Sequence, residues 1–570
     1  MREQWCSDYH DFDLQRKITA PALPVALLHR KALLERLREA VLPVQGGAPH
    51  RQLILCCAPA GYGKTTLLAD FARSAQLPCC WYFLERSDLD PVVFLRTLLA
   101  SLRQTFPAFG ASLDALFRSM LSAETASATT LYTSALTMLC TALATEIKEP
   151  FLLLLCNYEE VNESETVNAL VNELLRRFPP QATLIIESRS LPDLSFPALI
   201  IREAMYGLDH EALRFSAEEI AELAALQGLP PLSEEEAASL AASFDGWIAG
   251  ILLGTRIGDA RMRLLLPHSS AADEKRGSST ALATQKRTIL LTYLVNEVLK
   301  HAAQTQSFLQ SISLLHHVYP SFCNALLNIT DAHERLAHLE RQGLFLFSHA
   351  SGTGLFYTIH PVIRELLSEQ LRHQEPERFR LLHRRAAELW HARHEDEEAM
   401  YHALESESYD LAVSFILATG ENLLSSGQRE TLIRWINMLP EAFKEHHPRL
   451  LLLQATIALD YGQRTTALPL LDRAEALLAI SQEPDTALLE ATCAILRGKA
   501  LFQMGDYQQA QLLCQKALLY LPEPERHLRA SAQMRIGLCH TLAGGSDGRC
   551  HASAAGSATL ASAASPHSKY

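Results

Sequence analysis

The chain has 570 residues, 51 Lys+Arg against 64 Asp+Glu and a formal net charge of −13, with 48% hydrophobic and 20% charged residues. That length accommodates about three to five domains, and the composition excludes wholesale disorder and collagen-like repeats. The acidic balance excludes a uniformly basic nucleic-acid binder but leaves a local basic module open.

No apolar run approaches the ~18 residues of a membrane helix. The N-terminal stretch carries Asp8, Asp11 and Asp13 and lacks the apolar segment of a signal peptide. A cytoplasmic protein is expected. The twelve cysteines are scattered, and the adjacent pairs Cys56-Cys57 and Cys79-Cys80 lack CxxC spacing, so reduced structural cysteines are expected rather than a metal site.

In chain order, Leu53 to Cys57, Trp81 to Leu84, Phe151 to Leu155 and Thr183 to Ile186 are short apolar runs that predict strands buried on both faces. Helical patterns such as Thr65 to Ala75 and Pro91 to Arg103 lie between them. This alternation predicts a parallel sheet with covering helices. Strand character stops near Ser190, and the rest is almost all helical. Two interruptions are expected: a polar surface loop from Pro267 to Arg287 and a hairpin within Gly343 to Ile359.

From about residue 450 a repeat appears. The copy Gly498 to Pro522 places Gly498, Gly505, Ala510, Ala517 and Pro522 where a tetratricopeptide repeat uses small residues and a terminator. An earlier copy centres on Gly462, Ala467 and Ala474, and a third begins at Ile536-Gly537 without a second helix. Leu528, Met534, Ile536, Leu538 and Leu542 would then lack the helix that covers them. Residues 541–570 hold eight Ala, six Ser and four Gly, a composition that predicts disorder. A solenoid normally closes with a capping helix, so a prematurely ended or frame-shifted chain is expected here.

The strongest chemical signal is LILCCAPAGYGKTTLLADF, residues 53–71. A strand enters a glycine-containing loop and then a helix, in the pattern GxxxxGK[ST] with Ala58 at the first position. Gly61 and Gly63 let successive backbone N–H groups converge on an anion. Lys64 would reach the β/γ-phosphates, and Thr65 would offer its hydroxyl to Mg²⁺. The candidate nucleotide-binding stretch is Ala60, Gly61, Tyr62, Gly63, Lys64, Thr65 and Thr66.

The surrounding segments resemble one family, the MalT-like, LuxR-type bacterial transcriptional regulators of the STAND class of signal-transducing NTPases. KITAPALPVALLHRKALLERL (17–37) is similar to the family's N-terminal segment, with Arg30 at its arginine position. WYFLERSDLDPVVFLRTLLASL carries Asp90-Pro91 in register, and LIIESRS carries the strand-end Ser188-Arg189. LRFSAEEIAEL, DGWIAGILLG and GLFLFSHASGTGLFYTIHPVIRELL follow in the family's order, the last ending on His360 at a characteristic histidine. The resemblance implies an α/β P-loop NTPase domain followed by an all-α helical arm, a winged-helix domain and a TPR-like α-solenoid. It implies ATP/ADP with Mg²⁺ as ligands, nucleotide contacts from Arg30, Arg189 and His360, an inducer on the repeats, self-association, and DNA binding by a C-terminal helix-turn-helix. Trp247 is expected to be core packing.

The expected layout is a nucleotide-contacting segment at 1–50, the NTPase domain at 51–210, the arm at 211–300, the winged helix at 301–372, repeats at 373–544 and a disordered tail at 545–570. Two departures stand out. The family's second acidic motif is here LLLLCNYEE, with Cys156 and Asn157 in place of two acids. This predicts weak hydrolysis, unless a slipped strand register brings in Glu159 or Glu160. Nothing after Gly544 resembles a helix-turn-helix, so DNA binding by this stretch is not expected. A nucleotide-degenerate repeat scaffold and a P-loop ATPase of another class are the alternatives.

Overall fold

The short apolar runs become strands. β1 (Leu53–Cys57), β2 (Cys79–Phe83), β3 (Phe151–Cys156), β4 (Ala182–Ser188) and β5 (Met205–Leu208) form one sheet in the order β2-β3-β4-β1-β5, with every pairing parallel. All residues of β3 and β4 are buried. That two-sided burial is why they read as continuous apolar runs, each buried Leu or Ile contributing about 1.5–3 kcal/mol. β5 corrects the expectation that strand character ends near Ser190. Its sequence, MYGL, sits on the sheet edge with only Leu208 buried, so it carries no apolar run to betray it.

The computed structural model describes residues 14–24, 26–41, 51–110, 113, 128–228, 231–255, 303–341, 346–351, 354–480, 485–522 and 525–543. The expectations for the loop at 267–287 and the tail at 545–570 lie outside the described residues. The chain divides into two compact units, with the break after Glu407.

In the first unit, helices Lys64–Ala75, Pro91–Thr105, Ala128–Glu146 and Glu165–Arg177 connect the strands. The Asp90-Pro91 pair has a local cause. The Asp90 carboxylate accepts from the N–H groups of Val92 (2.9 Å) and Val93 (3.4 Å), and Pro91 occupies the first helical turn. The arm helices Ala217–Leu226 and Glu234–Ser243 both begin with a capping box, Ser216/Glu219 and Ser233/Glu236. A third arm helix, Ile248–Thr255, follows.

Helices Ala303–Ile312, Pro320–Leu327 and Ala332–Arg341 precede an antiparallel hairpin of β6 (Leu346–Ser351) and β7 (Gly354–Ile359). This is the winged-helix part, and the hairpin lies where the sequence places it. Val318 adds a bridge to Tyr357. Helices Pro361–Gln374, Pro376–His391 and Asp396–Glu405 complete the unit.

The second unit is a TPR-like stack of antiparallel helices from Tyr409–Ser425 to Arg526–Ala543. Of its small residues, Gly462 (φ +70°) and Gly505 (φ +88°) end helices in the left-handed conformation with open space beside them, whereas others sit at helix contacts. A Cβ on Gly498 would lie 2.9 Å from Cys514 Sγ and 3.2 Å from the Ala510 carbonyl. Ala467, Ala474, Ala510 and Ala517 are buried. In the last described helix, Leu528 and Ile536 pack on a cluster that includes Ile495, Cys514 and Ala532. Met534, Leu538 and Leu542 are exposed. The sequence groups all five together. The structure divides them because only the first two face back onto the preceding pair.

Candidate nucleotide site

The loop from Ala58 to Gly63 leaves the C-terminal end of β1 and enters the helix Lys64–Ala75. In open parallel sheets the carboxyl ends of the strands are where ligands are held. Gly61 (φ +82°) and Gly63 (φ +77°) adopt the left-handed conformation that glycine tolerates without cost. The arm braces the loop from behind. The Trp247 indole Nε1–H donates to the Ala60 carbonyl (2.9 Å), and the Ala249 N–H donates to the Gly61 carbonyl (3.1 Å). Trp247 is therefore packed, as expected, but its partner is the phosphate-binding loop itself.

Gly61 is doubly constrained. A Cβ there would lie 2.6 Å from Ala249 Cβ and 2.7 Å from Trp247 Nε1. Gly61→Ala is expected to lower both the melting temperature and the affinity for nucleotide, because alanine must carry positive-φ strain of about 1–3 kcal/mol and displace the arm as well. Thermal melts with and without ADP check this. A variant that matches the wild type in both would remove the claim that the arm shapes the loop.

Lys64 and Thr65 open the helix. The Lys64 ammonium is buried, donates to the Pro59 carbonyl at 3.3 Å, and lies 3.7 Å from Glu187 Oε1. The Thr65 hydroxyl donates to Glu187 Oε1 at 3.0 Å. Glu187 is the residue that the sequence reading passed over, although LIIESRS contains it. It is the penultimate residue of β4, is 4% exposed, and its second oxygen, Oε2, meets no nitrogen or oxygen donor among the described residues, the Cys156 thiol being its neighbour. Burial raises its pKa, the nearby Lys64 charge works against that rise, and Glu159 adds to it.

Register explains how Glu187 arrives there. Cys56 on β1 is paired with Glu187, and Leu155 on β3 is paired with Ile186. One step on, Cys156 stands beside Glu187 on the neighbouring strand. Cys156 is fully buried, and its thiol pKa is raised well above the usual range by burial and by the Glu187 charge. The register does not slip. Asn157 turns the chain sharply at φ +60° into the short 3-10 turn Tyr158–Glu160. Glu159 then faces Arg189: its Oε1 is 2.8 Å from Arg189 Nε, and its Oε2 accepts from the Arg189 backbone N–H at 3.0 Å.

Arg189 also donates from Nη1 to Glu365 Oε1 at 2.8 Å, reaching the helix Pro361–Gln374 that follows the hairpin. His360 precedes that helix. Its ring Nδ1 lacks a hydrogen-bond partner among the described residues, and burial together with the Arg189 charge holds its pKa down at about 4, so it is neutral at pH 7. Arg189 and His360, far apart in sequence, are thus brought together.

Arg30 has a different environment. It donates to both oxygens of Glu219 (2.8 and 3.0 Å) and to the carbonyls of Leu213 (2.9 Å) and Arg214 (2.7 Å), with its guanidinium over the Phe215 ring. These bonds clamp the N-terminal segment to the start of the arm. Tyr62 is buried, edge-on to the His210 ring, and Thr66 is half-buried in the helix.

A five-stranded parallel sheet, a positive-φ glycine loop after the first strand, and a buried lysine and half-buried threonine at the next helix start define a P-loop nucleoside-triphosphatase fold. Comparison with known proteins narrows the class. Residues 295–379 match the MalT winged helix domain, and residues 43–189 match the nephrocystin 3 N-terminal domain. The HTH-type transcriptional regulator MalT of Serratia proteamaculans is 26% identical over 509 residues, 89% of this chain and 54% of that protein. MalT of Yersinia enterocolitica is 27% identical over 515 residues, with the same two shares. A signal transduction ATPase with numerous domains and a tetratricopeptide repeat sensor, from Pyrococcus horikoshii, aligns with 92% of this chain and 75% of its own at 14% identity and a TM-score of 0.46. The chain is MalT-like over nearly nine-tenths of its length, and it spans about half the length of the curated relatives it matches.

Proposed function

We propose that this chain is the nucleotide-binding and signal-receiving part of a MalT-type transcriptional switch. The observation that carries the reading is the loop Ala58–Gly63 delivering Lys64 and Thr65 to the start of a helix at the carboxyl edge of the sheet. ADP or ATP would place its phosphates over the loop and the helix N-terminus, where backbone N–H groups and the helix dipole favour anions. Lys64 supplies the compensating charge. Mg²⁺ suits the site chemically, because the Thr65 hydroxyl and a buried carboxylate oxygen are hard donors at one point. Thr65 and Glu187 would hold such an ion, which would supply charge neutralisation at the phosphates.

Arg189 and His360 make nucleotide state legible to the winged helix in this reading. Arg189 is held between Glu159 of the NTPase part and Glu365 beyond the hairpin. A γ-phosphate competing for that guanidinium would loosen the link to Glu365. The helical repeats would receive the inducer, and self-association and action at DNA follow from the likeness to MalT regulators. Titration of the purified chain with a fluorescent ADP analogue tests the nucleotide reading directly. Saturable binding supports it, and no binding would leave a repeat scaffold with an inert loop.

Hydrolysis is expected to be slow, below ~1 s⁻¹. Asn157 carries no charge with which to orient an attacking water, and Glu159 is engaged by Arg189. Asn157→Asp, alone and with Cys156→Asp, is expected to raise phosphate release. A wild-type rate above that bound would show that another residue orients the water.

A further inference from the structure

We propose that Glu187 has taken over the metal-facing role of the acid missing at position 156, so that the acidic partner of the P-loop cation in this chain stands on β4 rather than on β3. This rests on the nucleotide-binding reading above.

In P-loop enzymes the cation is held by the loop Ser/Thr and by an acid at the end of a sheet strand. Here the β3 strand end presents Cys156, a fully buried thiol. A neutral thiol is a poor ligand for a hard divalent cation, which prefers oxygen. The sheet order places β4 between β3 and β1. Neighbouring strands lie about 4.8 Å apart and, in register, point their side chains to the same face. Glu187 therefore stands one strand nearer to the loop than Cys156 does.

The contact with the loop is on the page. Glu187 Oε1 accepts from the Thr65 hydroxyl at 3.0 Å, and Lys64 Nζ is 3.7 Å away. The loop threonine and the acid are thus already partners across 122 residues of sequence. Among the described residues the second carboxylate oxygen meets no nitrogen or oxygen donor, only the neighbouring Cys156 thiol, although the residue is 4% exposed. A buried carboxylate oxygen without a full complement of donors is costly. A purely structural ion pair with Lys64 would not require that. An oxygen that meets a cation or one of its waters only when nucleotide is bound accounts for it.

The alternative role is distinguishable. If Glu187 only neutralises Lys64, then its removal should strengthen nucleotide binding equally with and without divalent metal. If it faces the cation, its removal should erase the metal's contribution. The experiment uses the full chain and a fluorescent ADP analogue, titrated in Mg²⁺ and in EDTA. In parallel, Mn²⁺ binding to the ADP-saturated protein is followed by electron paramagnetic resonance. Three proteins are compared: wild type, Glu187→Gln, and the swap Glu187→Leu with Cys156→Asp.

Wild type is expected to bind the analogue more tightly in Mg²⁺ than in EDTA. Glu187→Gln is expected to lose that difference and to weaken Mn²⁺ affinity about ten- to hundredfold. The swap is expected to recover both, which also shows that the site still folds when residue 187 is apolar. Retention of the wild-type Mg²⁺ response and Mn²⁺ affinity by Glu187→Gln overturns the inference while leaving nucleotide binding intact. Absence of analogue binding to wild type in either condition overturns the nucleotide reading itself, and the inference with it.

Discussion

Trp247→Ala is expected to lower the unfolding free energy of the first unit by about 3–5 kcal/mol, the usual cost of truncating a buried aromatic. Trp247 is 3% exposed and packs within contact distance of Gly61 and Gly250. Its indole N–H satisfies the Ala60 carbonyl. Truncation leaves a cavity where the ring stood and strips that carbonyl of its partner. The loop then loses its brace, so nucleotide affinity should fall together with stability. Trp247→Phe separates the two effects: it keeps most of the packing and loses only the hydrogen bond, about 0.5–1.5 kcal/mol on average. Denaturant unfolding followed by circular dichroism, with nucleotide titrations of each variant, provides the test. A Trp247→Ala protein destabilised by less than about 1 kcal/mol would mean that the arm does not hold the loop.

Lys64→Ala is expected to cost about 1.5–3 kcal/mol of nucleotide binding, roughly ten- to more than a hundredfold in Kd, the worth of a charge-assisted phosphate contact. The structure adds a second consequence. Lys64 places its ammonium 3.7 Å from the buried Glu187 carboxylate. Without it, a negative charge stays in the site and repels the phosphates. The double variant Lys64→Ala, Glu187→Gln should therefore bind ADP in EDTA better than Lys64→Ala alone. Melting curves of the free proteins guard against reading a folding defect as lost affinity. Equal ADP affinity in wild type and Lys64→Ala would place the nucleotide elsewhere or remove it.

Much of the architecture was legible locally. Four of the five sheet strands announce themselves because residues such as Leu152 to Leu155 and Leu184 to Ile186 are buried on both faces, which demands uninterrupted apolar side chains. β5 did not, because an edge strand with Tyr206 and Gly207 half-covered or open to solvent has no such demand. The hairpin near residue 350 was legible from two apolar runs around a Gly/Ser turn, and it forms at β6 and β7. The repeat pattern was legible because close helix approach excludes a Cβ at Gly498.

The sequence by itself therefore determined the loop, its lysine and threonine, and the small residues of the repeats. All of these act within one element or between neighbouring ones, so their spacing along the chain carries the information. Only the tertiary structure decided what surrounds the loop. Thr65 meets Glu187, Trp247 meets Ala60, Arg189 meets Glu365, and Arg30 meets Glu219. Each pair is separated by more than a hundred residues, and no periodicity joins them. Glu187 is the clearest case. In sequence it is the one acid in a mostly apolar strand. Its position depends on the register of β1, β4 and β3, which places it beside Cys156 and under Thr65. Strand register is fixed by the packing of both sheet faces, a property of the assembled core rather than of any stretch of chain.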